Sequence, residues 1–123
     1  MKKYNILIVD DILMNRILLK EVLTDVAQNI KIAENGREAI EVLQLSPIDI
    51  IFMDIEMPVM NGLETTQHIR KKMPSPLNST PIIALTAHNP LDFFEDFSTA
   101  GFNDIITKPY SFEKIKQAIK ALL

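Results

Sequence analysis

Four short apolar runs mark out the chain: Ile6–Val9, Ile48–Met53, Ile82–Leu85 and the briefer Ile105-Ile106. A run with little polar alternation suits a strand covered on both faces, as strands of a parallel sheet are. Ile30-Lys31-Ile32-Ala33 alternates instead, which predicts an edge strand. Helical spacing fills the gaps. Leu13, Ile17, Val22 and Leu23 are set against Arg16, Lys20 and Glu21 in the first such segment, and Ala39, Ile40 and Leu43 mark the second. A third starts near Asn61 with Leu63, Ile69 and Met73, and a fourth holds Leu91, Phe94 and Phe97. In the last, Phe112, Ile115, Ile119 and Leu122 follow Ser111, a natural N-cap. Strand and helix therefore alternate five times, which predicts right-handed βαβ units and a parallel sheet with helices on both faces. Asn35-Gly36, Asn61-Gly62 and Ala100-Gly101 punctuate the elements, and Pro74, Pro76 and Pro81 bracket a loop before the fourth strand. Without repeats or a linker, residues 1–123 read as a single domain.

Composition narrows the classes. With 47% hydrophobic and 24% charged residues, the 123-residue chain can bury one core, so disorder is excluded. The absence of cysteine removes disulfide, thiolate and zinc–cysteine chemistry. A net charge of −3 leaves no basic footprint for nucleic acid, and Arg70-Lys71-Lys72 reads as a solvated helix end. The first apolar run stops at Asp10-Asp11, too soon for a signal peptide. No stretch approaches the ~18 apolar residues of a membrane span, so no membrane association and cytoplasmic residence are the expectations.

Open α/β sheets bind ligands at the carboxyl ends of their strands. There the chain places Asp10 and Asp11, Asp54, Thr86-Ala87 and Lys108-Pro109. Each is ordinary alone; an aspartate at a strand end is usually a turn former or cap. Together they bring three carboxylates, a hydroxyl and an ammonium to one crevice. Crowded carboxylates stay ionised only beside a cation, and an all-oxygen set without histidine or cysteine favours Mg²⁺. A carboxylate there can attack phosphorus, with the metal, Lys108 and the Thr86 hydroxyl each taking one phosphoryl oxygen.

These residues resemble the receiver domain of two-component response regulators, the CheY-like group. The match runs through Ile6-Leu7-Ile8-Val9-Asp10-Asp11, Asp54-Ile55-Glu56-Met57-Pro58 with Asn61-Gly62, Leu85-Thr86-Ala87, Ala100-Gly101-Phe102-Asn103-Asp104 and Thr107-Lys108-Pro109. The resemblance implies a flavodoxin-like (βα)5 three-layer sandwich of strand order 2-1-3-4-5. It implies Asp54 as phosphoacceptor and Asp10, Asp11, Asp54 and the Glu56 carbonyl as ligands of Mg²⁺, or of Mn²⁺ in its place. Asp11 would be the more direct ligand and Asp10 would act more through water. Thr86 and Ala87 would bind the phosphoryl group and switch, Lys108 would pair with it, and Lys108–Pro109 would be cis. The donor would be a histidine kinase or phosphotransfer protein, and the domain itself no enzyme beyond its own phosphorylation and dephosphorylation. The downstream partner would meet the face of the fourth helical segment, fifth strand and fifth helical segment, where Phe93, Phe94 and Phe97 fall, and a phosphorylation-dependent dimer is a further expectation.

The sequence departs from the family's pattern at Ile105, where an aromatic switch residue is common; Tyr110 is not its substitute by position. Glu56 and His88 occupy the variable positions that tune phosphoryl lifetime, and His68 reads as solvent-facing. Met1-Lys2-Lys3 fits a stand-alone regulator, whereas the Asn15-Arg16 segment resembles receivers attached to hybrid histidine kinases. A Mg²⁺-dependent phosphohydrolase of the haloacid-dehalogenase kind would place its nucleophile after the first strand and its acid two residues on; Asp10-Asp11 are adjacent. A flavodoxin-like electron carrier would need a Ser/Thr/Gly-rich loop where Asp10-Asp11-Ile12-Leu13 stands, and a phosphorylation-deficient module would not keep the full set of acids and lysine.

Overall fold

The computed structural model describes residues 2–87, 100–108 and 111–123. His88, the fourth helical segment with Phe93, Phe94 and Phe97, Tyr110 and the expected cis Lys108–Pro109 bond lie outside the described residues.

The elements follow in the order β1 (Tyr4–Val9), α1 (Leu13–Leu23), β2 (Ala27–Ala33), α2 (Gly36–Leu45), β3 (Ile50–Asp54), α3 (Gly62–Lys72), a 3-10 turn (Leu77–Ser79), β4 (Ile82–Thr86), β5 (Asp104–Thr107) and a C-terminal helix (Phe112–Leu122). The strands form one parallel sheet of order β2-β1-β3-β4-β5, as the resemblance implies. β3 and β4 are buried at every residue, which is why their apolar runs show so little alternation. β2 is an edge strand with outward polar positions.

Because alternate residues of a strand point to opposite faces, the sheet has two cores. Ile6, Ile8, Ile50, Phe52, Ile83, Leu85 and Ile106 pack under α1 and the C-terminal helix. Leu7, Val9, Ala33, Ile51, Met53 and Ile82 pack under α2 and α3. Side chains cap three helices where the sequence offers them: Asn35 accepts from Glu38, Asn61 from Glu64, and Ser111 from Lys114.

The sequence pattern places Leu23 and Val22 of α1 correctly but misassigns Leu13 and Ile17. Leu19 and Leu23 enter the core, and Arg16, one turn earlier on the same stripe, is buried with them. Leu13 and Ile17 are exposed, together with Ile12, Met14 and Leu18. The helix carries more apolar residues than one stripe can bury, so its contact with the sheet decides which ones are covered.

Arg70 is a second departure. It is no solvated helix end: Nε donates to the Gly101 carbonyl at 2.9 Å, Nη1 to Asn78 at 3.0 Å and Thr80 at 2.7 Å, and Nη2 to Asn103 Oδ1 at 2.8 Å. One guanidinium thus ties α3 to the 3-10 turn and to the approach to β5. Gly101 has φ +102°, and a Cβ there would lie 2.7 Å from Arg70 Cγ, so glycine is required for backbone and packing alike. His68 is also half-buried rather than solvent-facing. Removing Arg70 strands several carbonyls, and Arg70→Ala is expected to cost about 2–4 kcal/mol. Urea denaturation, with exposed Lys71→Ala as a near-neutral control, checks this; equal midpoints for the two variants would refute the staple.

Candidate metal and phosphoryl site

Four strand ends build the site. Asp10 follows β1, its N–H donating to the Ala33 carbonyl at 3.1 Å. Asp54 closes β3 and Thr86 closes β4; both are buried. Lys108 follows β5 and its N–H donates to the Thr86 carbonyl at 2.7 Å, which fixes the lysine beside β4. Its Nζ donates to Asp54 Oδ1 at 3.1 Å and stands 3.8 Å from Asp10 Oδ2. One carboxylate oxygen each from Asp10, Asp11 and Asp54 lies within 4.8 Å of the others. The convergence expected from the strand ends is therefore present for Asp10, Asp11, Asp54 and Lys108. Ala87 is exposed just beyond Thr86.

The backbone around Asp54 is tightly held. Gly62 opens α3 with its N–H on the Ile55 carbonyl at 2.9 Å. A Cβ on Gly62 would collide with the Asp54 carbonyl oxygen and come 2.9 Å from Ile55 Cα. Between them Val59 takes φ +69°, a strained conformation for a β-branched residue, in a turn closed by Met60 N–H to Pro58 O at 2.7 Å. Glu56, exposed, sits at the start of that loop. Ile105 is half-buried and packs with Phe102 and Leu63 against Ile55 and Ala84.

Burial and mutual repulsion set the electrostatics of the crevice. Burial pushes the Asp54 carboxyl up to about 6, and the charge of Asp10 adds to this. Burial likewise raises Asp10. Lys108 pulls both down but does not outweigh desolvation. Asp10 Oδ2 is buried without a hydrogen-bond partner. A buried carboxylate oxygen without a hydrogen bond, amid two further carboxylates, matches a hard, oxygen-seeking cation, so the residues fit Mg²⁺.

The response regulator receiver domain family matches residues 6–120. The chain belongs to that family. Among curated relatives, the aerobic respiration control sensor protein ArcB of Escherichia coli is 32% identical over 116 residues, covering 94% of this chain and 15% of its own length. The chain thus spans only about 15% of that sensor protein. The chemotaxis protein CheY4 of Vibrio cholerae is 27% identical with a TM-score of 0.88, covering 98% of this chain and 99% of its own. A sensor histidine kinase receiver domain from Pseudomonas aeruginosa, solved with magnesium coordinated in its active-site cleft, is 27% identical with a TM-score of 0.86, covering 98% of this chain and 97% of its own. The Saccharomyces cerevisiae Ssk1 receiver domain, crystallised with the histidine phosphotransfer protein Ypd1, is 31% identical with a TM-score of 0.86, covering 98% of this chain and 89% of its own. The receiver is accordingly a phosphorelay signalling domain. No helix among its described residues is long and apolar enough to cross a membrane.

Sequence reasoning missed Asn15 and Arg16 as site residues. Asn15 Nδ2 approaches Asp10 Oδ1 at 3.4 Å, and Arg16 Nη1 donates to the Asp10 carbonyl at 2.8 Å. The legible signals were the Asn15-Arg16 segment's resemblance to hybrid-kinase receivers and an arginine on the stripe of Leu19 and Leu23.

Proposed function

We propose that Asp54 is the phosphoacceptor, and that Asp10, Asp11 and Asp54, with the Glu56 carbonyl, hold Mg²⁺. The observation that carries this reading is the buried Asp54 carboxylate, 3.1 Å from Lys108 Nζ and grouped with Asp10 and Asp11. Mg²⁺, when bound, neutralises carboxylate and phosphoryl charge; the same pocket accommodates Mn²⁺. Lys108 fixes the Asp54 carboxylate through Oδ1 and offers its remaining protons to a phosphoryl oxygen. An Asp54 oxygen attacks the phosphorus of a phosphohistidine, forming an acyl phosphate as the P–N bond breaks and the electron pair returns to the imidazole. Thr86 and the backbone at Ala87 bind the transferred group. Water attack on phosphorus later restores the Asp54 carboxylate, at a rate tuned by Glu56 and His88. The resulting population shift is read at the face containing β5 and the C-terminal helix, with Ile105 in place of an aromatic reporter.

The donor is a histidine kinase or phosphotransfer protein, a partner class supported by the Ssk1–Ypd1 pair. Its docking surface is the exposed apolar start of α1, next to Asp10-Asp11: Ile12 is 50% exposed, Leu13 60% and Met14 63%. Leu13→Glu is therefore expected to slow transfer from a phosphorylated protein donor at least about tenfold. The same variant should take phosphoryl groups from acetyl phosphate as the unaltered domain does. Equal loss with both donors would move α1 from docking to site integrity.

Intact-mass spectrometry after incubation with acetyl phosphate tests the function itself. One phosphoryl adduct, dependent on Mg²⁺ and mapping to Asp54, is expected; no adduct at any Mg²⁺ concentration would overturn the reading.

A further inference from the structure

Asp10 is held from three sides by α1. Its Oδ1 accepts from the Ile12 N–H at 2.9 Å and from Asn15 Nδ2 at 3.4 Å. Its carbonyl accepts from Arg16 Nη1 at 2.8 Å, while its own N–H is committed to Ala33. Ile12, the N-cap of α1, makes no side-chain cap bond; the Asp10 carboxylate accepts the Ile12 N–H in a turn just before the helix. Only Oδ2 is left without a hydrogen bond.

Arg16 is an unusual residue to spend on this task. It is 8% exposed, on a stripe otherwise filled by Leu19 and Leu23, so its desolvation must be offset by good partners. Its other arm reaches Glu34 Oε1 at 3.4 Å, but Glu34 is 62% exposed and the pair contributes little. The short buried bond to the Asp10 carbonyl is the stronger contact. It also bears on the site, because the Asp10 backbone sets where Oδ2 points.

We propose that Arg16, assisted by Asn15, is a positioning residue that clamps Asp10 so that Oδ2 alone faces the cation. The proposal rests on the metal-binding role given to Asp10 above. Arg16 touches neither cation nor phosphoryl group; it acts through the Asp10 backbone, as groups behind metal ligands do elsewhere. A shorter, neutral side chain would lose the charged bond to the Asp10 carbonyl and loosen the backbone that carries the carboxylate, leaving only the Ile12 and Asn15 bonds on Oδ1.

Calorimetric titration of the metal-free domain with Mg²⁺ alone provides the test, using variants shown to be folded by circular dichroism. Arg16→Gln is expected to bind Mg²⁺ roughly 10–100-fold more weakly. Arg16→Lys keeps charge and one donor but loses the fork, and should fall between, at about three- to tenfold. Glu34→Gln removes the ion pair while sparing the Asp10 contact, and should match the unaltered domain. Arg16→Gln binding as tightly as the unaltered domain would overturn the clamp. So would Arg16→Lys and Glu34→Gln both binding at full strength, a comparison that stands even where Arg16→Gln fails to fold. Absence of Mg²⁺ binding by the unaltered domain would instead remove the metal reading on which the clamp depends.

Discussion

Asp54→Asn is expected to abolish the stable phosphoryl adduct formed with acetyl phosphate. The amide is nearly isosteric, so the fold and the contact with Lys108 persist, but it is far too weak a nucleophile to form an acyl phosphate. Two other carboxylates share the crevice, and their geometry explains why neither takes over. Asp10 Oδ1 is engaged by Ile12 and Asn15, and Oδ2 is the oxygen assigned to the cation, so neither is placed to attack phosphorus in line. Asp11 is exposed and, among the charged contacts of the site, the short lysine bond goes to Asp54. The measurement is intact mass with peptide mapping, with and without Mg²⁺. An adduct of unchanged yield in Asp54→Asn would move the acceptor elsewhere and sink the assignment.

In metal-free buffer the same substitution should stabilise the domain. Burial, with the charge of Asp10, pushes the folded Asp54 carboxyl up to about 6 from its ordinary value of 3.8. The folded state therefore binds more protons than the unfolded state between those values, and stability from this group falls as pH rises through that window. Above about pH 6 the full cost of holding the buried charge is present, on the order of 2–3 kcal/mol. Asp10 is raised too, by burial first, and adds in the same direction. Asp54→Asn removes the charge, so with chelator at pH 7.5 its melting temperature should exceed that of the unaltered domain by about 5 °C or more. The difference should shrink towards pH 4.5, where the unaltered carboxyl is protonated in the fold. Mg²⁺ at neutral pH should stabilise the unaltered domain by mass action and the variant much less. A melting difference independent of pH would show that Asp54 is not held charged at a cost.

The metal, the phosphoryl group and the lysine thus share one electrostatic logic. The fold brings carboxylates together against their repulsion and partly compensates them with Lys108. The remaining imbalance favours a cation. Strain at Val59 and the close approach of Gly62 to the Asp54 carbonyl lie on the loop leaving that residue. The carboxylate is thereby held by a short, tightly packed backbone segment.

Much of this was written in local pattern. Ile50–Asp54 and Ile82–Thr86 are buried at every position, so their runs of apolar side chains could only be central parallel strands. Once the strands are parallel, the residues after each one must share an edge, and Asp10, Asp11, Asp54, Thr86 and Lys108 follow from counting alone. Local capping is equally short-range, and Asn35, Asn61 and Ser111 act where the sequence places them.

What only the tertiary structure decided is where long and ambiguous side chains go. Helix α1 holds apolar residues on more than one face, so spacing pointed to Leu13 and Ile17 as well as Leu23, whereas contact with the sheet buried Leu19 and Leu23 and left Leu13 and Ile17 exposed. Arg16 and Arg70 looked like solvent-facing charges, because an arginine is soluble by default and buried only when it finds acceptors. Those acceptors are the carbonyls of Asp10, Asn78, Thr80 and Gly101, which lie 6 to 31 residues away in the chain and become neighbours only on folding. The sequence by itself determined the sheet and which residues stand on its carboxyl edge, because strand periodicity and strand direction are local properties. The tertiary structure determined which faces are covered and which backbone groups are clamped, because those depend on partners distant in sequence.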